Sequence, residues 1–85
     1  KNNIKGEQMN KQRRTKIDEA MAKVADAKAI IEEVYEAEEE AYQNLPESLQ
    51  YSERGEQMQE CVTALESAVS SFEELDDYLD EARGE

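Results

Sequence analysis

Apolar residues recur every seven positions along two stretches of nearly equal length, and one short break containing Pro46 separates them. Seven residues make almost two helical turns, so such a repeat keeps one stripe of a helix facing a neighbour. The first stretch, residues 11–43, carries three rows. They are Ile17, Val24, Ile31, Glu38 and Leu45; Ala20, Ala27, Val34 and Ala41; and Met21, Lys28, Tyr35 and Tyr42. The second, residues 53–83, repeats the scheme with Met58, Leu65, Phe72 and Leu79; Cys61, Ala68, Leu75 and Ala82; and Val62, Val69 and Asp76. The expected fold is all-α: an antiparallel hairpin of two helices, each ~45 Å long at 1.5 Å per residue.

The break, residues 44–52, is punctuated by local chemistry. Pro46 disfavours helix at Leu45 and lacks a donor, so the first helix should end near Gln43 or Asn44. Asn44 is a candidate cap for a single turn from Pro46 to Gln50. Ser52 is a good N-cap for the second helix, with Glu53 and Glu56 at the positive end of its dipole. Gly55 early in a helix costs about 1 kcal/mol relative to Ala. A close approach by another backbone or side chain would explain it. Gly84 is a plausible stop signal.

Folding at the middle of the break faces residues whose numbers sum to about 95 or 96. Ile17 then meets Leu79, Val24 meets Phe72 and Ile31 meets Leu65. Between them Ala20 meets Leu75, Ala27 meets Ala68 and Val34 meets Cys61, with Cys61 a small buried hydrophobe. Glu38 falls level with Met58, and Arg54 is its nearest candidate counter-ion. This register leaves Met21, Tyr35, Tyr42, Val62 and Val69 beside the seam as an exposed apolar strip, the expected oligomer interface. Two hairpins joined through it would make a four-helix bundle dimer or a higher oligomer. Self-association is expected on size as well, because 85 residues with one cysteine and no histidine have neither an internal disulfide nor a ready zinc site to staple a thin core.

The net charge of −12 is uneven. Residues 1–16 carry six basic groups against one acid, and residues 17–85 carry four against 21. An acidic body of this kind is not expected to bind nucleic acid or an anionic membrane directly, and it would attract basic protein surfaces. The register brings Arg13, Arg14 and Lys16 beside Asp80, Glu81 and Glu85, and Lys23 beside Glu73, Glu74 and Asp77, so the basic start reads as a clasp closing the hairpin. Residues 1–10 read as a flexible basic leader, with Met9-Asn10-Lys11-Gln12-Arg13-Arg14 resembling a natural chain start. No apolar run reaches the roughly 18 residues of a membrane span, and none follows the basic start as in a signal peptide. The lone cysteine fits a reducing compartment, and the cytoplasm is the expected location.

No constellation carries an expectation of catalysis, metal or cofactor. Histidine is absent, no nucleophile has a base at a meaningful spacing, and no Gly-rich phosphate loop occurs. The run Glu36, Glu38, Glu39 and Glu40 lacks the alternation and glycine of a calcium loop, and reads as a solvated helix face. Tyr35, Tyr42 and Tyr51 gather toward the tip, as a small core under the loop or as aromatic anchors for a partner. On the second helix Glu66, Glu73, Glu74, Asp77, Asp80 and Glu81 form a dense negative stripe. Such a stripe serves solubility in many helices. It also presents carboxylates as a phosphate backbone presents charge, and so is the candidate face for a basic partner.

The segment from Asn44 to Glu60, together with the start at Met9 and the acidic second helix, resembles small acidic helical-hairpin proteins of phages and prophages of Gram-positive bacteria. The likeness spans roughly residues 9–82. It implies a mobile-element origin and a bacterial host, and no particular activity. Two functions of different class are expected from the whole. The first is a non-enzymatic protein-binding factor, in its concrete form an anti-defence inhibitor that covers a basic, nucleic-acid-binding surface of a host protein. The second is a structural or accessory module whose main partner is itself.

Overall fold

Asn10 begins the order: its side-chain oxygen accepts a hydrogen bond from the Arg13 amide at 2.8 Å, occupying one of the donors a helix start leaves open. The structure, a computed structural model, describes residues 10–84. From this cap α1 runs Lys11–Gln43. It closes where the Asn44 amide donates to the Glu40 carbonyl at 3.0 Å and the Leu45 amide to Tyr42 at 3.1 Å. Pro46 then opens a single turn, α2, Glu47–Gln50, whose last amides return to the Pro46 carbonyl.

Gln50 ties this turn back to α1. Its side-chain nitrogen donates to the carbonyls of Tyr42 at 3.3 Å and Leu45 at 3.2 Å, a second bond for Tyr42, which already accepts from the Leu45 amide. Ser52 makes the next link. Its hydroxyl donates to the Leu49 carbonyl at 2.5 Å and accepts from the Gly55 amide at 3.3 Å, capping α3, Glu53–Arg83. Glu53 and Glu56 in the first turn and Arg83 in the last complement the helix dipole. Gly84, at φ 77, ends α3 in a conformation that suits glycine.

Gly55 sits where α2 lies across the start of α3. A Cβ there would fall on the Gln50 carbonyl oxygen and stand 2.5 Å from that of Leu49. The close backbone approach expected from the sequence is therefore present, and Gly55 is the one buried residue among those described.

The two long helices pack against each other as an antiparallel pair. Two ion pairs mark their register, Asp18 with Arg83 at 2.6 Å and Lys28 with Glu73 at 3.2 Å, whose members in each case sum to 101. Half-buried residues along the seam fall at 17, 21, 24, 28, 31, 35, 38, 42 and 45 on one side, and at 58, 62, 65, 69, 72, 79 and 83 on the other, with Ala27 and Ala68 half-buried at its border. Together these levels set Met21 with Leu79, Lys28 with Phe72, Ile31 with Val69, Tyr35 with Leu65, Glu38 with Val62 and Tyr42 with Met58.

This corrects the expected register by about five residues. The expected facing pairs Ile17–Leu79, Val24–Phe72, Ile31–Leu65, Ala20–Leu75 and Val34–Cys61 are out of level. The reason lies in the break. α2 is tied back to the end of α1 by Gln50 and packs on the first turn of α3, and the ion-pair levels centre the reversal near residues 50–52, past the middle of the break.

The seam also turns. Its second row is Met21, Lys28, Tyr35 and Tyr42 against Val62 and Val69, not the alanine rows. These five apolar residues, expected beside the seam, are half-buried along it. Ala20, Val34, Ala41, Cys61, Leu75 and Ala82 are exposed instead, so Cys61 is not a core residue. Area explains the choice on α1. Met and Tyr remove far more apolar surface than Ala, at about 25 cal/mol per Å². The row admits Lys28, whose stem lies along the seam while its ammonium reaches out to Glu73 and, at 3.9 Å, Glu32.

The clasp is likewise different in its members. Arg83 on α3 grips Asp18 on α1 with two hydrogen bonds, 2.6 and 3.0 Å. Glu73 is engaged by Lys28, not Lys23. With the shifted register, Lys11, Arg13 and Lys16 lie at or past the level where α3 ends. Glu85 and the leader up to Met9 lie outside the described residues. Among the described residues no hydrophobic or polar side chain is fully buried. No described helix is long and apolar enough to cross a membrane.

Candidate interaction surfaces

An antiparallel pair has a two-fold relation about an axis perpendicular to the plane of its helices. A row bordering the seam on one helix therefore shares a side of the hairpin with the matching row of the other. One side thus collects Asp18, Glu32 and Glu39 from α1 with Glu66, Glu73 and Asp80 from α3. The ion pairs Asp18–Arg83 and Lys28–Glu73 lie along it. The opposite side collects Ala20, Ala27, Val34 and Ala41 with Cys61, Ala68, Leu75 and Ala82.

All six members of the acidic stripe, Glu66, Glu73, Glu74, Asp77, Asp80 and Glu81, are exposed. They occupy the charged side of α3 and the outer surface next to it. From Glu66 to Glu81 the stripe runs ~22 Å along the helix. Only Glu73 among them has an ion-pair partner, Lys28, among the described residues. Half-buried Tyr35 borders this side. The Glu39 carboxylate, then partial burial, then Glu66 and Glu36 hold its phenol above the ordinary tyrosine range. The neutral phenol is thus favoured in the folded chain. Its contribution is present below the unfolded tyrosine pKa and is lost as pH rises through the raised value. Alkaline titration followed by tyrosine absorbance should show a late-ionising phenol that Tyr35→Phe removes.

Glu38 is half-buried in the seam level with Val62, four residues from the expected Met58, and it makes no ion pair with Arg54. Tyr42 is half-buried near the tip, whereas Tyr51 is 78% exposed and Leu49 43%. The tip therefore does not close into one small core.

Among the described residues no group of three His, Cys, Asp or Glu side chains is placed to hold a metal ion. The grooves along the hairpin are open. One is walled by Val24, Lys28, Phe72 and Asp76, another by Tyr35, Glu66 and Val69. The apolar side was not singled out by the sequence. Its signal lay in side-chain bulk on α1, where Ala20, Val34 and Ala41 are left outside and only Ala27 of that row is half-buried. Comparison with family models, curated proteins and solved structures finds no match.

Proposed function

We propose that this chain is a non-enzymatic protein-binding factor of phage or mobile-element type, an anti-defence inhibitor that covers a basic, nucleic-acid-binding surface of a protein in the cytoplasm of a bacterial host. The observation that carries the reading is the segregation of charge. Carboxylates of α3 line one side of the helix and its outer surface, while the opposite side carries none in its bordering rows. A groove lined with Lys and Arg binds phosphates through charge and spacing, and a rigid row of carboxylates meets the same requirements. The mobile-element attribution rests on the resemblance of residues 44–60.

The test compares the chain as bait in host lysate with a variant carrying Glu73→Gln, Glu74→Gln, Asp77→Asn and Asp80→Asn. Helicity should persist, because the one ion pair lost is exposed and contributes roughly 0–1 kcal/mol. The original chain should retain a basic nucleic-acid-binding protein, and the variant and raised salt should both release it. Equal retention by the two baits would overturn the reading.

The second reading, a structural module that assembles with itself, is favoured by a separate observation: the single hairpin has no fully buried side chain among the described residues. The two readings use different sides of the molecule.

A further inference from the structure

We infer that the apolar side of the hairpin, the rows Ala20-Ala27-Val34-Ala41 and Cys61-Ala68-Leu75-Ala82, is covered by a second copy of this chain. The inference rests on the self-assembly reading and names its surface. The strip extends past its bordering rows. Ile30 is 59% exposed, Tyr78 62%, Val34 46% and Leu75 41%, and all four lie on this side by position in the repeat. No acid interrupts the two bordering rows between Ala20 and Ala41 or between Cys61 and Ala82.

Three observations choose a second copy over another occupant. The first is need. A pair of helices with no fully buried side chain among the described residues has little to oppose the loss of chain entropy on folding. A surface that completes the fold must be filled whenever the chain folds, and only the chain itself is always present. The second is shape. At the two middle levels of the strip one helix supplies alanine where the other supplies bulk, Ala27 beside Leu75 and Ala68 beside Val34, while the end levels, Ala20 with Ala82 and Ala41 with Cys61, are small on both helices. A copy turned about a two-fold axis along the hairpin sets Leu75 on Ala27 and Val34 on Ala68. A copy turned end for end sets Leu75 on Ala68 and Val34 on Ala27. Either way the strip fits itself, as an isologous interface must. The third is area. From Ala20 to Ala41 is ~32 Å, and two helices are ~20 Å across, a footprint on the order of 600 Å² per copy before surface relief is counted, against roughly 800 Å² per partner in a standard interface.

The result is a four-helix bundle whose inner layers come from residues other than Met21, Tyr35, Tyr42, Val62 and Val69, which close each hairpin. The acidic stripe stays on the outside of the assembly.

The experiment is sedimentation equilibrium with thermal melts at several chain concentrations, on the full chain and two variants. The chain should weigh about twice 9.7 kDa, and its melting midpoint should rise with concentration. Ile30→Glu and Tyr78→Glu change side chains more than half exposed in the single hairpin, so each hairpin tolerates them. Each should weaken self-association at least tenfold, while Glu74→Gln leaves it unchanged. A helical monomer at all concentrations overturns both the self-assembly reading and this inference. A dimer that survives Ile30→Glu and Tyr78→Glu leaves self-assembly standing and overturns the assignment of this side.

Discussion

Replacing Gly55 by alanine is expected to destabilise the hairpin by about 1–3 kcal/mol, the usual range for forcing extra volume into a packed site. The sign is the informative part. In an ordinary helix interior the same change gains about 1 kcal/mol, because glycine is the poorer helix former. Here the added carbon meets the carbonyl oxygens of Gln50 and Leu49, which are backbone atoms and cannot rotate aside. Relief requires α2 to lift from α3. That movement would strain the bonds from Gln50 to the Tyr42 and Leu45 carbonyls and from Ser52 to Leu49. Urea or thermal melts followed by circular dichroism should show the loss, roughly 4–8 °C per kcal/mol for a domain of this size. Gly55→Val should lose more. A stabilised Gly55→Ala would mean that α2 does not pack where described.

Glu38→Leu is expected to do the reverse. Glu38 occupies an inner row between Ile31 and Leu45, half-buried and level with Val62. Glu39 and Glu40 follow it in sequence, and no ion pair joins it to a base among the described residues. A leucine there removes apolar surface from water at both helices and takes one negative charge from a crowded segment. The gain should be about 1 kcal/mol, hence several degrees in melting temperature. The result tests the placement of Glu38 within the seam, because a glutamate on an outer face would show almost no effect when replaced.

The helices and their ends were legible because the residues that make them act locally. Ser52 caps, Pro46 forbids continuation, Gly84 stops, and the seven-residue repeat needs no knowledge of the partner. The register was not legible for a related reason. Each helix offered three adjacent rows, and any two of them make a seam. The choice depended on a tertiary detail, the Gln50 side chain tying α2 back to the end of α1. Once the register moved, the faces moved with it. Met21, Tyr35, Tyr42, Val62 and Val69 went inward, and Cys61, Val34 and Leu75 came out. The acidic stripe was legible as a pattern because Glu66, Glu73 and Asp80 keep the repeat. That it lies opposite an apolar side could be read only after the register was known.

The central claim is this register, since both proposed surfaces follow from it. Cysteine pairs test it directly, in a Cys61→Ser background. Glu38→Cys with Val62→Cys joins residues on one level, and Glu38→Cys with Met58→Cys joins residues offset by one turn, about 6 Å along the axis. Disulfides close only when the Cα atoms lie within about 7 Å with their side chains directed at each other. Mild oxidation should close the Glu38→Cys, Val62→Cys pair within one chain, seen as a faster non-reduced band of monomer mass, and leave the second pair open. Closure of the Glu38→Cys, Met58→Cys pair in its place would contradict the account.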